Sequence, residues 1–288
     1  MNIPRRFRRG GFLGRFLFFF GVFIFLLVGG LLGYGYYSEN IKPLREKVME
    51  IDSEVISMDE YVKYLKFYGI GDVRKELRLL FSMNVEREIY EGEVIRRFAG
   101  EEGVEGGEEA HRIFEVLRDR GREAGFSDDE IYEIALKEAL RDKLLEKFGE
   151  KVGGSRVHVK VEYILCSSEE EARKALSELE EKSFEDVAKE YGRDPLLEGR
   201  EWVPRGIMGE EWDGVVFGMK EGDISEPIKT GRGYFIVKLL AKEERKLSEE
   251  DFLILRSKML SEWIGEHPLR FKNYLDSEKR EWAIKRAL

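Results

Sequence analysis

Three histidines and one cysteine are the only imidazole and thiol groups in this 288-residue chain. His111, His158 and His267 stand singly on helical or strand-like stretches. A metal site needs two or more such ligands at usable spacing, so surface or structural roles are expected, with no metal and no cofactor. Cys166 closes an apolar strand and reads as an inert, partly buried thiol rather than a nucleophile. The phosphate-binding G-x-x-x-x-G-K-[ST], the zinc-binding H-E-x-x-H, the nucleophile elbow G-x-S-x-G and C-x-x-C are all absent. What remains is the stretch Val157 to Leu240, which contains Tyr191-Gly192-Arg193-Asp194-Pro195 and Trp202-Val203-Pro204-Arg205-Gly206-Ile207-Met208. Any chemistry is expected there.

The elements that position this stretch can be read from periodicity. Val157, Val159, Val161, Tyr163 and Leu165 alternate with His158, Lys160 and Glu162, which predicts a half-buried strand with Tyr163 on its inner face and His158 outside. Ser168 with Glu171 caps a helix whose stripe is Ala172, Ala175, Leu176 and Leu179. Ser183 caps the next, with Phe184, Val187, Ala188 and Tyr191 at core-facing spacing. Short strands are expected at Trp202-Val203 and Pro227 to Thr230, with a helical turn through Trp212 to Phe217 between them. A last strand places Phe235, Val237 and Leu239 on one face, after a tight Gly231-Arg232-Gly233 turn.

The flanks are read as helical. Ser57 to Glu60 and Ser127 to Glu130 have capping-box spacing, and the zone up to Gly149 is expected to be all helix. Its one interruption is Gly100 to Glu109, glycine and glutamate apart from Val104, which reads as a mobile loop that buries nothing. The polar, glycine-rich Gly149 to Ser155 marks a domain boundary, because the period changes from 3.6 to 2 directly after it. Beyond Lys246, Ser248 to Asp251 caps a helix carrying Phe252, Leu255, Met259 and Trp263. A final amphipathic helix follows with Phe271, Tyr274, Leu275, Trp282 and Ile284. These apolar faces have no cover of their own, so they are expected to return to the first helical zone.

The first forty residues obey different rules. Phe16 to Tyr37 carry no charge, and 22 residues at about 1.5 Å each cross a ~30 Å hydrocarbon layer. Arg5, Arg6, Arg8, Arg9 and Arg15 precede the run with no acid among them, which places the N-terminus in the cytoplasm and the body outside. The run exceeds the apolar core of a cleaved signal peptide, has no A-x-A site, and no cysteine directly follows it, so a signal anchor is expected. The chain's net charge is −9 despite these arginines, and an acidic body argues against nucleic acid.

Several separated motifs, in order, resemble a known family. Tyr163-Ile164-Leu165, Phe184 to Tyr191, Trp202-Val203-Pro204-Arg205-Gly206, Val216 to Pro227 and Gly233 to Lys238 look like a parvulin (PpiC-type) prolyl isomerase domain over about Val157 to Ala241. Upstream, Ile51 to Tyr61 and Ala139 to Leu145 are similar to the first and closing segments of a SurA-type chaperone domain. With the apolar run, the layout is similar to membrane-anchored foldases of the PpiD and PrsA kind. The resemblance implies an α+β fold: a four-stranded antiparallel sheet with helices, inserted in a mainly helical chaperone domain behind one transmembrane helix. The implied segments are a basic tail (1–15), a span (16–37), a chaperone domain (38–150), a parvulin-type domain (155–243) and C-terminal helices (246–288).

The resemblance also implies a site. Met208, Trp212 and Phe217 match the family's proline-pocket residues, with Trp212 where a phenylalanine is commoner; spacing alone fits plain core equally well. Asp194 matches the Cys or Asp near the substrate carbonyl, although a turn residue before Pro195 would look the same. Tyr163 and Phe235 occupy the positions of the family's inward histidine pair, and Gly199-Arg200-Glu201-Trp202 stands where the family has a G-D-L-G approach. The implied function is an anchored extracytoplasmic peptidyl-prolyl isomerase acting on exported, unfolded polypeptides. Because Phe235 cannot hydrogen-bond, the alternative is a non-catalytic holdase. The loop after the first strand, Cys166 to Glu170, lacks the basic cluster that a phosphorylated substrate would need.

Overall fold

The computed structural model describes residues 11–191 and 197–288, with side chains from residue 20 onward. Its first helix, α1 (Gly11–Tyr36), has no buried residue in its apolar window and is long and apolar enough to cross a membrane. The chain continues through β1 (Lys47–Ile51), β2 (Glu54–Ser57), α2 (Met58–Phe67), α3 (Arg78–Phe98), α4 (Gly107–Ala124), α5 (Asp128–Val152), β3 (Ser155–Cys166), α6 (Glu169–Glu178), α7 (Phe184–Ala188), β4 (Val203–Pro204), α8 (Glu210–Val216), β5 (Ile228–Thr230), β6 (Gly233–Lys246), α9 (Glu249–Glu266), β7 (Phe271–Asn273) and α10 (Ser277–Ala287). The serine caps form as their spacing predicts. Ser57, Ser127, Ser168, Ser183 and Ser248 each accept a hydrogen bond from the backbone N–H three residues on, which satisfies an otherwise orphaned helix-start donor.

Two compact units result. The first comprises residues 1–97, 107–138 and 268–288; the second comprises 98–106 and 139–267. The C-terminal block 246–288 is therefore divided, with α9 in the second unit and everything from Pro268 in the first.

The first unit is not all helix. β1 and β2 form an antiparallel hairpin, and β7 adds to it in the order β2-β1-β7. Asp52 turns the hairpin at φ 53°, a conformation that Asp tolerates better than most residues. Its side chain accepts from the Arg270 N–H (3.0 Å) while its own N–H donates to the Arg270 carbonyl (2.8 Å), which fixes where β7 begins. The expected final helix through Phe271 is thus a strand followed by a shorter helix, because its backbone groups find an open sheet edge formed more than 200 residues earlier.

A buried carboxylate secures the same return. Glu86 of α3 accepts both guanidinium N–H groups of Arg280 on α10 (2.7 and 2.9 Å), the Asn273 amide (2.6 Å) and the Tyr61 hydroxyl (3.1 Å). Burial then raises the Tyr61 phenol above its ordinary value, and the adjacent Glu86 charge adds to the effect.

The second unit is built on four antiparallel strands in the order β4-β3-β6-β5, as the alternation and the family resemblance predicted. Both faces of its centre are covered. On one, Val159, Phe235, Val237 and Leu239 pack with Trp212 and Val216 of α8 and with Leu255 of α9. On the other, Ile164, Cys166 and Ile236 lie under Ala172 and Ala175 of α6 and Phe184 and Val187 of α7. Each fully buried large apolar side chain contributes roughly 1.5–3 kcal/mol of transfer free energy.

One strand residue differs from the sequence reading. His158 does point away from the inner face, yet it is buried, and its Nδ1–H donates to the Arg156 carbonyl (2.8 Å). The segment 100–109 differs too. It holds a 3-10 turn (Ala99–Glu102) and the start of α4, and Val104 is buried. Its backbone acceptors are taken by lysines of α5, with Lys143 donating to the Glu105 carbonyl (2.5 Å) and Lys147 to that of Glu102. Composition alone concealed these distant donors.

Candidate functional site

Tyr163 and Phe235 sit on neighbouring strands of the second sheet and share its inner face. β3 and β6 pair Tyr163 with Val237 and Leu165 with Phe235, so the two rings are diagonal neighbours, their centroids 6.0 Å apart at 47°. Phe235 is fully buried and Tyr163 half-buried. The contact between them is apolar, because Phe235 offers nothing to the Tyr163 hydroxyl. Tyr163 also lines a cavity of about 360 Å³ with Phe184, Ala188, Leu197 and Arg200.

Met208, Trp212 and Phe217 come together in the cluster on that same face. α8 supplies Trp212 and is followed by Phe217; the loop before it supplies Met208. The Trp212 and Phe217 rings meet edge to face, centroids 6.1 Å apart at 72°, a favoured aromatic geometry. Their exposure differs slightly. Trp212 has 0% of its surface exposed, against 9% for Met208 and 6% for Phe217. The indole is sealed, and its two neighbours keep a small part of their surface exposed. Its Nε1–H has no hydrogen-bond acceptor among the described residues, a departure from the usual pairing of buried donors. Asp194 lies outside the described residues.

Two features carry no assigned role in the sequence reading. The first is a clamp on the loop that bears Met208. Gly206 stands at φ +105°, where a side chain is strained, and a Cβ there would lie 2.7 Å from Leu255 Cδ2 of α9. Its N–H donates to Asp213 Oδ2 (2.7 Å), and its carbonyl accepts from Lys258 Nζ (2.7 Å). Burial pushes the Asp213 carboxyl above its ordinary value, against the Gly206 N–H and the Lys258 charge, and its Oδ1 is buried without a partner among the described residues.

The second is a pair of guanidiniums. Arg205 lies over the face of Phe217, 4.5 Å from its centroid, and Arg232 Nη1 approaches Met208 Sδ at 3.8 Å. Arg205 was visible within the motif Trp202 to Gly206, but nothing in its spacing pointed to the ring beneath it.

The other singled-out residues have structural surroundings. Cys166 is buried, which pushes its thiol up to about 11. His267 donates through Nδ1–H to the Trp263 carbonyl (2.7 Å) and stacks against that indole. His111 is exposed beside Tyr132. Among the described residues, no group of His, Cys, Asp or Glu is placed to hold a metal.

This geometry can be set beside known proteins. A family model described as the PPIC-type PPIASE domain matches residues 147–251. The foldase protein PrsA 2 of Bacillus anthracis is 28% identical over 177 residues, which cover 59% of this chain and 61% of the relative. The foldase protein PrsA of Geobacillus kaustophilus is 31% identical over 124 residues, 41% of this chain and 44% of the relative. The chain thus matches less than two thirds of these relatives' length. A crystal structure of the peptidylprolyl isomerase PrsA from Bacillus anthracis superposes with a TM-score of 0.41 at 20% identity, covering 70% of this chain and 94% of that one. With its matched motifs and its four-stranded antiparallel sheet, the segment 147–251 belongs to the PPIC-type, parvulin family.

Proposed function

We propose that this chain is a membrane-anchored extracytoplasmic foldase whose second unit isomerises X-Pro bonds of exported, unfolded polypeptides. The observation that carries the reading is the grouping of Met208, Trp212 and Phe217 on the inner face of a parvulin-type sheet. Prolyl isomerisation makes and breaks no covalent bond to the enzyme. Its barrier of ~20 kcal/mol is amide resonance, which weakens when the amide is twisted and its charge-separated form loses water. An apolar floor that seats the proline ring and excludes water supplies that effect, with Tyr163 as the polar group beside it and Asp194 as the residue matched to the substrate carbonyl. The apolar window of α1 and the arginines before it support an anchor with the N-terminus inside.

A second reading is favoured by two observations: Phe235 brings no polar atom to the floor, and Trp212 is sealed beneath it. The same architecture then binds proline segments without turnover, as a holdase. A proline-limited refolding reaction with the full chain in mild detergent separates the two. Catalysis predicts faster refolding at micromolar protein. Unchanged rates combined with suppressed client aggregation establish the holdase and remove the isomerase. Alkaline extraction that strips the chain from membranes would remove the anchor.

A further inference from the structure

We propose that a cavity in the first unit, lined from α2, α3 and α5, binds the guanidinium of an arginine side chain on an unfolded polypeptide. The cavity is about 300 Å³, at the lower end of ligand-pocket sizes. It lies wholly within the first unit, so the inference stands apart from the isomerase and holdase readings of the second.

Helical spacing assembles it. Glu60 and Tyr64 stand at i and i+4 on α2, and Glu130, Glu133 and Lys137 at i, i+3 and i+7 on α5, so each set lines the cavity from one helix face. Glu54 of β2, Glu93 of α3 and Phe126, just before α5, add to the wall. Tyr64 and Phe126 are buried and meet edge to face, ring centroids 5.1 Å apart at 65°. Aromatic rings bounded by carboxylates attract a cation through the ring quadrupole and the charge together. Lys63, which does not line the cavity, makes both kinds of contact, 5.5 Å from the Phe126 centroid and 3.4 Å from Glu130.

The acids are only partly neutralised. Burial would raise the Glu93 carboxyl, but Lys137 and Arg96 (2.9 Å) pair with it and hold it below its ordinary value. Glu54, Glu60 and Glu133 enter no ion pair among the described residues. Burial pushes the Glu60 carboxyl above its ordinary value, a cost that an incoming cation relieves.

Tyr64 points to the ligand. Only 7% of its surface is exposed, it lines the cavity, and its hydroxyl makes no hydrogen bond among the described residues. Burial raises its phenol above the ordinary value, and the charges of Glu60, Glu93 and Glu130 add to this, so the hydroxyl stands among the lining carboxylates. A buried hydroxyl is normally paired, and here a ligand is the missing partner. A guanidinium offers five N–H donors in a flat fork, which reach the Tyr64 oxygen and separate carboxylates while its plane lies on the rings; an ammonium offers three from one point. A metal ion does not match, because the acids are not grouped as metal ligands among the described residues.

The test is fluorescence anisotropy of labelled, proline-free peptides Gly-Ala-Arg-Ala-Gly, Gly-Ala-Lys-Ala-Gly and Gly-Ala-Gln-Ala-Gly with the full chain in mild detergent at low salt. The Arg peptide should bind roughly tenfold tighter than the Gln peptide, as one charge-assisted contact implies, and severalfold tighter than the Lys peptide. The double variant Glu54→Gln, Glu60→Gln, which keeps the capping-box acceptor at the second position, should lose the preference for Arg over Gln. Glu108→Gln, Glu123→Gln removes the same charge from exposed acids of α4 and should keep it. Tyr64→Phe should weaken Arg binding severalfold with a urea midpoint no lower than wild type, since it deletes only an unpaired hydroxyl. Arg binding no tighter than Gln, or equal losses in the two double variants, overturns the site and leaves general attraction to an acidic chain. Lys binding as tightly as Arg overturns the assignment to a guanidinium. Neither result bears on the proline pocket, because no peptide contains proline.

Discussion

Lys258 of α9 donates to the carbonyl of Gly206 at 2.7 Å, from 52 residues further along the chain. The family match ends at residue 251, so most of α9 lies beyond it, yet α9 holds the loop that carries Arg205 and Met208. Asp213 holds the other side of the same peptide unit. Lys258→Met should leave the sheet intact but loosen this loop, and Leu-Pro peptide affinity should fall severalfold, as for one lost charged hydrogen bond. Lys258→Arg should restore most of it. Titration of the two variants by anisotropy is the check, and equal affinities in wild type and Lys258→Met would show that the clamp is idle.

Asp213 also makes stability depend on pH in an unusual direction. Its folded-state pKa is raised by burial, so the folded chain holds this proton more tightly than the unfolded chain does. The resulting stabilisation is complete below the unfolded value near 3.8 and is lost as pH rises through the folded value. Asp213→Asn keeps an acceptor for the Gly206 N–H and removes the charge. Its urea midpoint relative to wild type should therefore rise between pH 3 and pH 7. A flat difference would mean that the carboxylate is solvated in the folded state.

Trp212 is a poor target for truncation, since removing a fully buried indole costs about 3–5 kcal/mol and mixes folding with binding. Trp212→Phe is the informative change. It deletes an indole N–H that has no acceptor among the described residues, which offsets the lost volume, so stability should stay within about 1 kcal/mol of wild type. Chemical denaturation measures this directly. A loss near the truncation cost would show that the indole N–H has a partner after all.

Glu86 should be the most sensitive polar position in the first unit. Glu86→Ala leaves the half-buried Arg280 without its bidentate carboxylate partner, at a cost of about 3 kcal/mol, the low end for a buried pair because Arg280 keeps part of its surface in water. Because Arg280 and Asn273 lie in the returning segment, limited proteolysis should cut first between residues 268 and 288 in this variant. Replacing Glu86 and Arg280 together by apolar residues should recover much of the loss.

Gly121 tests packing within the first unit. A Cβ there would lie 2.5 Å from Ile131 Cγ1, closer than any real contact. Gly121→Ala should gain about 1 kcal/mol of helix propensity in α4 but lose about 1–3 kcal/mol to overpacking against α5, a net destabilisation. Adding Ile131→Ala should remove the clash component, and thermal melts of the single and double variants would separate the two contributions.

Local rules carried the sequence reading a long way. Serine caps, period-2 alternation and the apolar stripes of α6 and α7 depend on neighbours a few residues apart. The inner placement of Tyr163 and Phe235 was accordingly legible before any coordinates, whereas the grouping of Met208, Trp212 and Phe217 followed only from the family resemblance. So was the burial of Cys166, which an apolar strand end implies.

What the sequence could not determine depends on groups brought together from far apart. β7 becomes a strand because the edge of β1 waits for it. The glycine- and glutamate-rich segment folds because lysines of α5 take its carbonyls, and His158 is buried although the alternation of β3 points it away from the inner face. Whether Trp212 would be exposed or sealed was equally undecided by spacing, because exposure is set by what packs above a side chain and not by its period. The guanidiniums on Phe217 and Met208 and the lysine on Gly206 belong to this class. Their side chains are long and their partners lie up to 52 residues away, and only the closed tertiary structure decides where such chains end.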